Sequence, residues 1–224
     1  MSPPATANTR RRSRSSGGRG SSRARARVKA GRRRLAILAA IVLGVTVAVL
    51  LAARGPVEEA VLEITLPLKH EDVIRQQAAD KDVDAALIAA ICYQESKFQD
   101  RTSHAGARGV MQLLPSTADY IARKSGGTEF EQGDLADPQI NISYGSWYLR
   151  YLLDHYDGNE RLAIAAYNAG ETNVDKWVAD AGGPGKFKTD EDIPFPETRA
   201  YVANVEEKQV EYRDNYAREL GLDR

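Results

Sequence analysis

The chain has 224 residues, and its 31 Lys and Arg residues balance its 31 Asp and Glu residues, so its formal net charge is zero. The single cysteine, Cys92, excludes an internal disulfide framework and a CxxC zinc or redox site. The three histidines, His70, His104 and His155, are widely separated in the sequence, which argues against a histidine-built metal site. We therefore expect no metal and no other cofactor.

The positive charge is concentrated at the N-terminal end of the chain. Residues 1–34 contain eleven Arg, one Lys and no acidic residue, and most of the others are Ser, Gly, Ala, Thr and Pro. Such a segment has little to bury, so we expect a disordered, Arg-rich tail. Contact with anionic lipid headgroups or nucleic acid is one interpretation. A simple topology signal explains the charges at least as well, and we expect no nucleic-acid partner.

An uncharged run of nineteen residues follows, from Leu35 to Ala53. As a helix it would be about 28 Å long, close to the ~30 Å hydrocarbon core of a bilayer. A buried helix is disfavoured because the run has no amphipathic stripe. A cleavable signal peptide is disfavoured because the run is long and Leu51 stands where cleavage favours a small residue. We predict a single transmembrane helix over residues 35–53 in the cell membrane, with the N-terminus cytoplasmic and the rest extracytoplasmic.

The remaining residues, 55–224, form a mildly acidic unit with 18 Lys and Arg against 31 Asp and Glu. This length is sufficient for a hydrophobic core. We interpret residues 54–69 as a linker and residues 70–224 as one globular domain. Cys92 is expected to be a small buried hydrophobe in this domain.

Helical patterns dominate the domain from its start. We predict a short helix from His70 to Asp80. Asp84 is a suitable N-cap for a second helix with the sequence AALIAAICYQES. Pro115 indicates the start of a third helix, STADYIARK.

The second half of the domain follows the same pattern. Asp137 and Pro138 open a helix whose apolar residues at 140, 144, 147, 148, 151 and 152 form one stripe. A buried helix from Glu160 to Ala169 ends at Gly170, and Asn173 is expected to cap the next one. The last helix is predicted from Glu197 to Leu220. The fold class is therefore all-α, with a tiny hairpin around residues 126–135 as an alternative.

Glu95 is the first candidate for chemistry. Leu87, Ile91 and Glu95 are spaced by four residues, which stacks them on one helix face. A carboxyl at the end of a buried apolar helix loses solvation, which raises its pKa, as a general acid at neutral pH requires. The structural alternative is an ion pair between Glu95 and Lys97, Arg101 or Arg108. Periodicity alone slightly favours this alternative.

Two further segments contain polar residues suited to substrate binding. The loop after Glu95 contains Gly106 and Gly109, which permit close backbone approach, and Ser103 and Gln112 can supply hydrogen bonds. It lacks the GxxxxGK[ST] pattern of a phosphate loop. In AAYNAG at 165–170, two polar residues end an otherwise apolar helix. They either bind substrate or satisfy buried backbone groups. These two residues are Tyr167 and Asn168.

Three segments together resemble a known family. They are ESKFQDRTSHAGARGVMQLLPSTA at 95–118, DPQINISYGSWYLRYLLDHY with LAIAAYNAG at 137–170, and PFPETRAYVANV at 194–205. In this order they closely resemble the catalytic domain of soluble-type lytic transglycosylases, within the goose-type-lysozyme-like glycosidases. The resemblance covers roughly residues 70–215 and implies a lysozyme-like α-helical fold.

The resemblance also implies an activity, namely cleavage of the β-1,4 bond between N-acetylmuramic acid and N-acetylglucosamine in peptidoglycan. Glu95 matches the family's catalytic glutamate, acting first as acid and then as base while a 1,6-anhydro ring forms. Further matches line the cleft or contact substrate. They are Ser103, Met111, Gln112, Tyr167, Asn168, Glu197, which lies near the peptide stem, and Tyr201, an active-site tyrosine.

The chain departs from the family pattern in the loop after Glu95. Ser103 follows Glu95 by eight residues, which makes the loop one residue shorter than is common, and Asp100 stands where proline is usual. Val110 replaces the more usual leucine. Two alternatives keep the fold. One is a goose-type-lysozyme-like hydrolase of the same bond, and the other is a non-catalytic glycan-binding module of a cell-wall assembly whose partners the sequence does not name.

Overall fold

The computed structural model describes residues 35, 38–48, 59–127 and 129–222. Two compact units divide the chain at Glu59 and Ala60. In the first unit, residues 38–48 are helical. The predicted transmembrane span includes residues 36, 37 and 49–53, and the predicted disordered tail is residues 1–34, all of which lie outside the described residues. Among the residues that are described, no helix is both long and apolar enough to cross a membrane.

The second unit is built from helices, and no strand occurs in its described residues. Residues 60–65 of this unit are helical and belong to helix α1. The other helices, in chain order, are α2 (Glu71–Lys81), α3 (Ala85–Ser96), α4 (Pro115–Ser125), a 3-10 helix (Gln132–Ala136), α5 (Pro138–His155), α6 (Glu160–Ala169), α7 (Glu171–Asp180), α8 (Thr189–Asp192) and α9 (Pro196–Tyr216). The all-α prediction is confirmed for the described residues.

Helix α3 is the centre of the unit. Every residue from Ala85 to Cys92 is buried, as expected for a helix that is apolar on all sides. The Asp84 side chain accepts a hydrogen bond from the Ala86 N–H, which confirms the predicted N-cap. Helices α2 and α9 pack against α3, and α6 packs against α5, α7 and α9. The buried position of Cys92 is also confirmed.

Tyrosine hydroxyls fasten the chain before α2 to this core. Tyr212 donates to the Pro67 carbonyl at 2.6 Å, Tyr216 to the Leu66 carbonyl at 2.8 Å, and Tyr93 to the Thr65 carbonyl at 3.1 Å. Leu66 is itself buried. Part of the segment expected to be a linker is therefore packed against the domain.

Two local predictions were wrong. Asn173 does not cap α7, because the helix begins directly after Gly170 and the Asn173 side chain donates back to the Ala169 carbonyl. The hairpin suggested around residues 126–135 is also absent from the described residues there. The short 3-10 helix takes its place, closed by reciprocal hydrogen bonds between Glu131 and Asp134.

Candidate active site

Glu95 lies in the last turn of α3, where the chain reverses sharply. Lys97 and Phe98 both have left-handed backbone conformations, with φ of 52° and 60°. Such conformations are costly for residues with side chains and persist where packing holds them. Phe98 is buried at this point, and the Ser96 hydroxyl donates to the Val110 carbonyl at 2.7 Å. The end of α3 and the following loop are thereby fixed around Glu95.

The Glu95 carboxyl accepts a hydrogen bond from Tyr201 on α9, with 2.7 Å between the hydroxyl and Oε1. Burial raises the pKa of Glu95 to about 7, while the hydrogen bond from Tyr201 and the nearby Arg101 charge oppose the rise. Arg101 donates to the Glu95 backbone carbonyl, and no described residue forms an ion pair with the carboxyl. The ion-pair alternative is therefore wrong. At neutral pH both protonation states of Glu95 are populated.

The loop from Thr102 to Leu113 forms one wall of the site. Isolated antiparallel bridges join Thr102 to Arg108 and Arg108 to Leu113. The Ser103 hydroxyl accepts from the Ala107 N–H at 3.0 Å. This short, closed loop brings Ser103 to the cleft although the loop is one residue shorter than the family pattern.

Asn141 on α5 holds this loop from behind. Its side chain is fully buried, accepts from the Met111 N–H at 2.8 Å, and donates to the carbonyls of Arg108 and Leu135 at 3.0 and 3.1 Å. Gly109 permits this close approach, because a Cβ there would lie 2.2 Å from the Asn141 amide nitrogen. The backbone of Gly109 also has a φ of 76°, which favours glycine.

An open cleft of about 380 Å³ lies in front of Glu95. Its walls come from the end of α3, the loop, α4, α5 and the end of α6. Glu95 is the only acidic residue among those that line it. The lining residues are Glu95, Ser103, Ala107, Gln112, Leu113, Leu114, Thr117, Tyr148, Tyr167, Asn168, Ala169 and Gly170.

The end of α6 is held in place by hydrogen bonds on two sides. Tyr167 donates to the Met111 carbonyl at 3.0 Å, which joins α6 to the loop. Thr198 is buried on α9 and donates to the Asn168 side-chain oxygen at 2.8 Å. Burial and the nearby Glu95 charge raise the pKa values of Tyr167 and Tyr201, so both remain neutral donors.

The structure brings together most of the predicted site residues. Glu95, Ser103, Gln112, Tyr167 and Asn168 line the cleft, and Tyr201 reaches it through its hydrogen bond to Glu95.

Two predicted residues lie elsewhere. The Met111 side chain is fully buried against Gly145, where a Cβ would lie 2.3 Å from its sulfur, and its carbonyl binds Tyr167. Glu197 is exposed at the start of α9 and does not line the cleft.

The sequence analysis did not identify several residues of the site. Thr117 and Tyr148 line the cleft, and Asn141 and Thr198 position it. Thr198 lies three residues before Tyr201, so the helical spacing of the two could have indicated it. In the described ranges, no three His, Cys, Asp or Glu side chains are grouped to hold a metal ion.

Known proteins match the domain that contains this cleft. The family model described as "Transglycosylase SLT domain" matches residues 72–189. The soluble lytic murein transglycosylase of Salmonella typhimurium is 35% identical over 155 residues, which cover 68% of this chain and 24% of that protein. Membrane-bound lytic murein transglycosylase C of Glaesserella parasuis is 32% identical over 169 residues, covering 65% of this chain and 46% of that protein.

Solved structures agree with the sequence matches. The 70-kDa soluble lytic transglycosylase of Escherichia coli is 34% identical, with a TM-score of 0.63, over 68% of this chain and 25% of that one. An inactive mutant of lytic transglycosylase Slt from Pseudomonas aeruginosa is 36% identical, with a TM-score of 0.62 and the same coverage. The chain thus spans about a quarter of the length of the Salmonella typhimurium protein and of the Escherichia coli structure.

Proposed function

Because the chain belongs to the transglycosylase SLT domain family, we propose that it is a lytic transglycosylase of peptidoglycan that uses Glu95 as its only catalytic carboxyl. The observation that carries this proposal is that a single carboxyl, Glu95, lines the cleft and has its pKa raised to about 7. Most glycosidases place two carboxyls across the bond they cleave. A cleft with a single acid fits an internal displacement, in which the substrate supplies its own nucleophile.

The reaction begins with Glu95 protonated. It transfers its proton to the oxygen of the β-1,4 bond between N-acetylmuramic acid and N-acetylglucosamine, and the bond from that oxygen to C1 breaks. The 6-hydroxyl of the muramic acid then attacks C1 and closes the 1,6-anhydro ring. Glu95, now a carboxylate, takes the hydroxyl proton and returns to its starting state. No water is consumed.

Tyr201 supports both halves of this cycle. Its hydroxyl donates to Oε1 of Glu95, which stabilises the carboxylate formed after the first proton transfer. Burial has the opposite effect and keeps the acid form available at neutral pH. The balance of these two effects lets one group give and take a proton under the same conditions.

The other predicted residues bind substrate in this proposal. Ser103, Gln112 and Asn168 offer polar atoms along the cleft wall, and Tyr167 joins that wall to the loop. Glu197, exposed at the start of α9, is proposed to meet the peptide stem. Met111 acts through the backbone carbonyl that holds Tyr167.

The test is Glu95→Gln, which keeps the shape of the side chain and removes its proton chemistry. We expect purified peptidoglycan to be cleaved by the natural protein and not measurably by the variant. Glu160→Gln is the matched control, because Glu160 is a half-buried carboxyl with a raised pKa that lies outside the cleft. If Glu95→Gln retains activity close to that of the control, the proposed mechanism is wrong.

We also propose that residues 35–53 anchor the protein in the cell membrane, with the tail 1–34 cytoplasmic and the catalytic domain outside. The uncharged run and the charges before it support this topology. Relatives include proteins named membrane-bound lytic murein transglycosylase C and F. The full chain should stay with membranes through a high-salt and an alkaline wash, whereas a chain starting at residue 54 should be released. Release of both would contradict the anchor.

A further inference from the structure

One face of α5 carries three aromatic side chains, of which only Tyr148 lines the cleft. They belong to the apolar stripe that the sequence predicted for this helix. In the structure, Trp147, Tyr148 and Tyr151 are only partly buried. The buried face of α5 is formed instead by Asn141, Ile142, Gly145, Ser146, Leu149, Leu152 and Leu153. These three rings pack against the core and remain partly exposed to solvent.

Tyr151 is the centre of this aromatic group. Its ring is nearly parallel to that of Trp147, with centroids 5.8 Å apart and 3° between the planes. The Tyr120 ring on α4 meets it edge-on at 5.6 Å. On the other side, Tyr148 lies 6.0 Å from Tyr151 and 5.7 Å from Tyr167. We call Tyr120, Trp147 and Tyr151 the aromatic strip.

The aromatic strip is continuous with the catalytic cleft. Thr117 and Tyr148 line the cleft on α4 and α5. Tyr120 and Tyr151 follow them by three residues, which places each on the same face of its helix one turn further on. A polymer that leaves the cleft between Thr117 and Tyr148 therefore meets the strip next.

Aromatic faces next to a cleft that binds a polymer suit a particular class of ligand. The C–H-rich faces of sugar rings pack on aromatic rings. We propose that the aromatic strip forms a second sugar-binding surface, which holds further residues of the same glycan strand and makes long strands better substrates than short ones. This inference rests on the proposed function, because the strip would hold more of the strand that is cleaved at Glu95.

The test compares two substrates made from peptide-free glycan strands, a tetrasaccharide and strands several times longer. For Trp147→Ala we expect kcat/KM on long strands to fall roughly 2- to 10-fold, the size of one aromatic contact. The value on the tetrasaccharide should not change. Trp147→Phe, which keeps a ring, should restore most of the preference for long strands. Tyr151→Ala should act like Trp147→Ala.

Phe130→Ala is the matched control. Phe130 is a partly buried aromatic residue outside the strip, and its ring packs on Tyr144 of α5, the helix that also carries Trp147 and Tyr151. It should leave the ratio of the two kcat/KM values unchanged. Equal losses on both substrates in Trp147→Ala and Tyr151→Ala would overturn the inference and assign the strip a structural role. The proposed function would survive that result. It would fail separately if the natural protein cleaved neither substrate.

Discussion

Replacing Tyr201 with phenylalanine isolates one of the two opposing influences on Glu95. The variant keeps the buried ring, which is 6% exposed, and removes only the hydroxyl that donates to Oε1 at 2.7 Å. This hydrogen bond lowers the pKa of Glu95, whereas burial raises it to about 7. Tyr201→Phe must therefore move that pKa upwards.

The size of the shift follows from the strength of the bond. A hydrogen bond to a charged group contributes about 1.5–3 kcal/mol and one to a neutral group about 1 kcal/mol. The difference corresponds to a rise of about one pKa unit. Because the acid form of Glu95 starts the reaction, the alkaline limb of the kcat/KM profile should move up in pH by about that amount.

The assay is kcat/KM for glycan cleavage, measured across the neutral and alkaline range for the natural protein and for Tyr201→Phe. Tyr212→Phe is the control, because it removes a buried tyrosine hydroxyl that bonds to the Pro67 carbonyl and not to Glu95. The alkaline limb of the kcat/KM profile of Tyr212→Phe should stay at the pH found for the natural protein. A limb that moves down, or does not move, in Tyr201→Phe would refute this account of the Glu95 pKa.

Three stability predictions follow from the same site. Gly109→Ala should lower the free energy of unfolding in urea by about 3 kcal/mol or more, because its Cβ would overlap Asn141 at a φ of 76°. Gly106 has a φ of 83°, but a Cβ there would meet no other atom, so Gly106→Ala should lower the free energy of unfolding by only about 1 kcal/mol. Equal losses in the two variants would contradict the close packing of Gly109 on Asn141. Asn141→Ala should cost about 3 kcal/mol in the same assay, because the Met111 N–H and the Leu135 carbonyl lose their partner while the Arg108 carbonyl keeps only the Leu113 N–H. A loss below about 1 kcal/mol would contradict this role. The raised pKa of Glu95 adds stability that is present below pH 4.5 and is lost as pH rises through about 7. Between pH 4.5 and 8, the free energy of unfolding of Glu95→Gln should therefore rise by about 3 kcal/mol relative to that of the natural protein. Parallel pH dependence of the two proteins would contradict that pKa.

Local signals in the sequence were sufficient for most of the helices. Asp84, Pro115 and Pro138 mark helix starts that the structure confirms, since caps and helix-initiating prolines act within one turn. Asn173 shows the limit of such signals. Both Gly170 and Asn173 are acceptable cap residues, and α7, which packs against α6, begins after Gly170.

The site depended on relationships that local patterns do not contain. Glu95 and Tyr201 are 106 positions apart, and their hydrogen bond follows from the packing of α3 on α9. The resemblance to a family supplied this pair, whereas periodicity slightly favoured an ion pair. Asn141 was missed because a buried asparagine looks like any polar residue until its backbone partners are known. The aromatic residues of α5 were predicted only as part of one apolar stripe, because apolar periodicity does not separate a buried face from a binding surface.

The most direct test of the central claim is the chemistry of the new chain end. Peptidoglycan should be digested by the natural protein in water enriched in heavy oxygen, and the fragments examined by mass spectrometry. If Glu95 directs an internal displacement, the new ends will be 1,6-anhydro-muramic acid and will contain no heavy oxygen. Reducing ends that carry one heavy oxygen would show that water attacks C1, and would contradict the single-carboxyl transglycosylase proposed here.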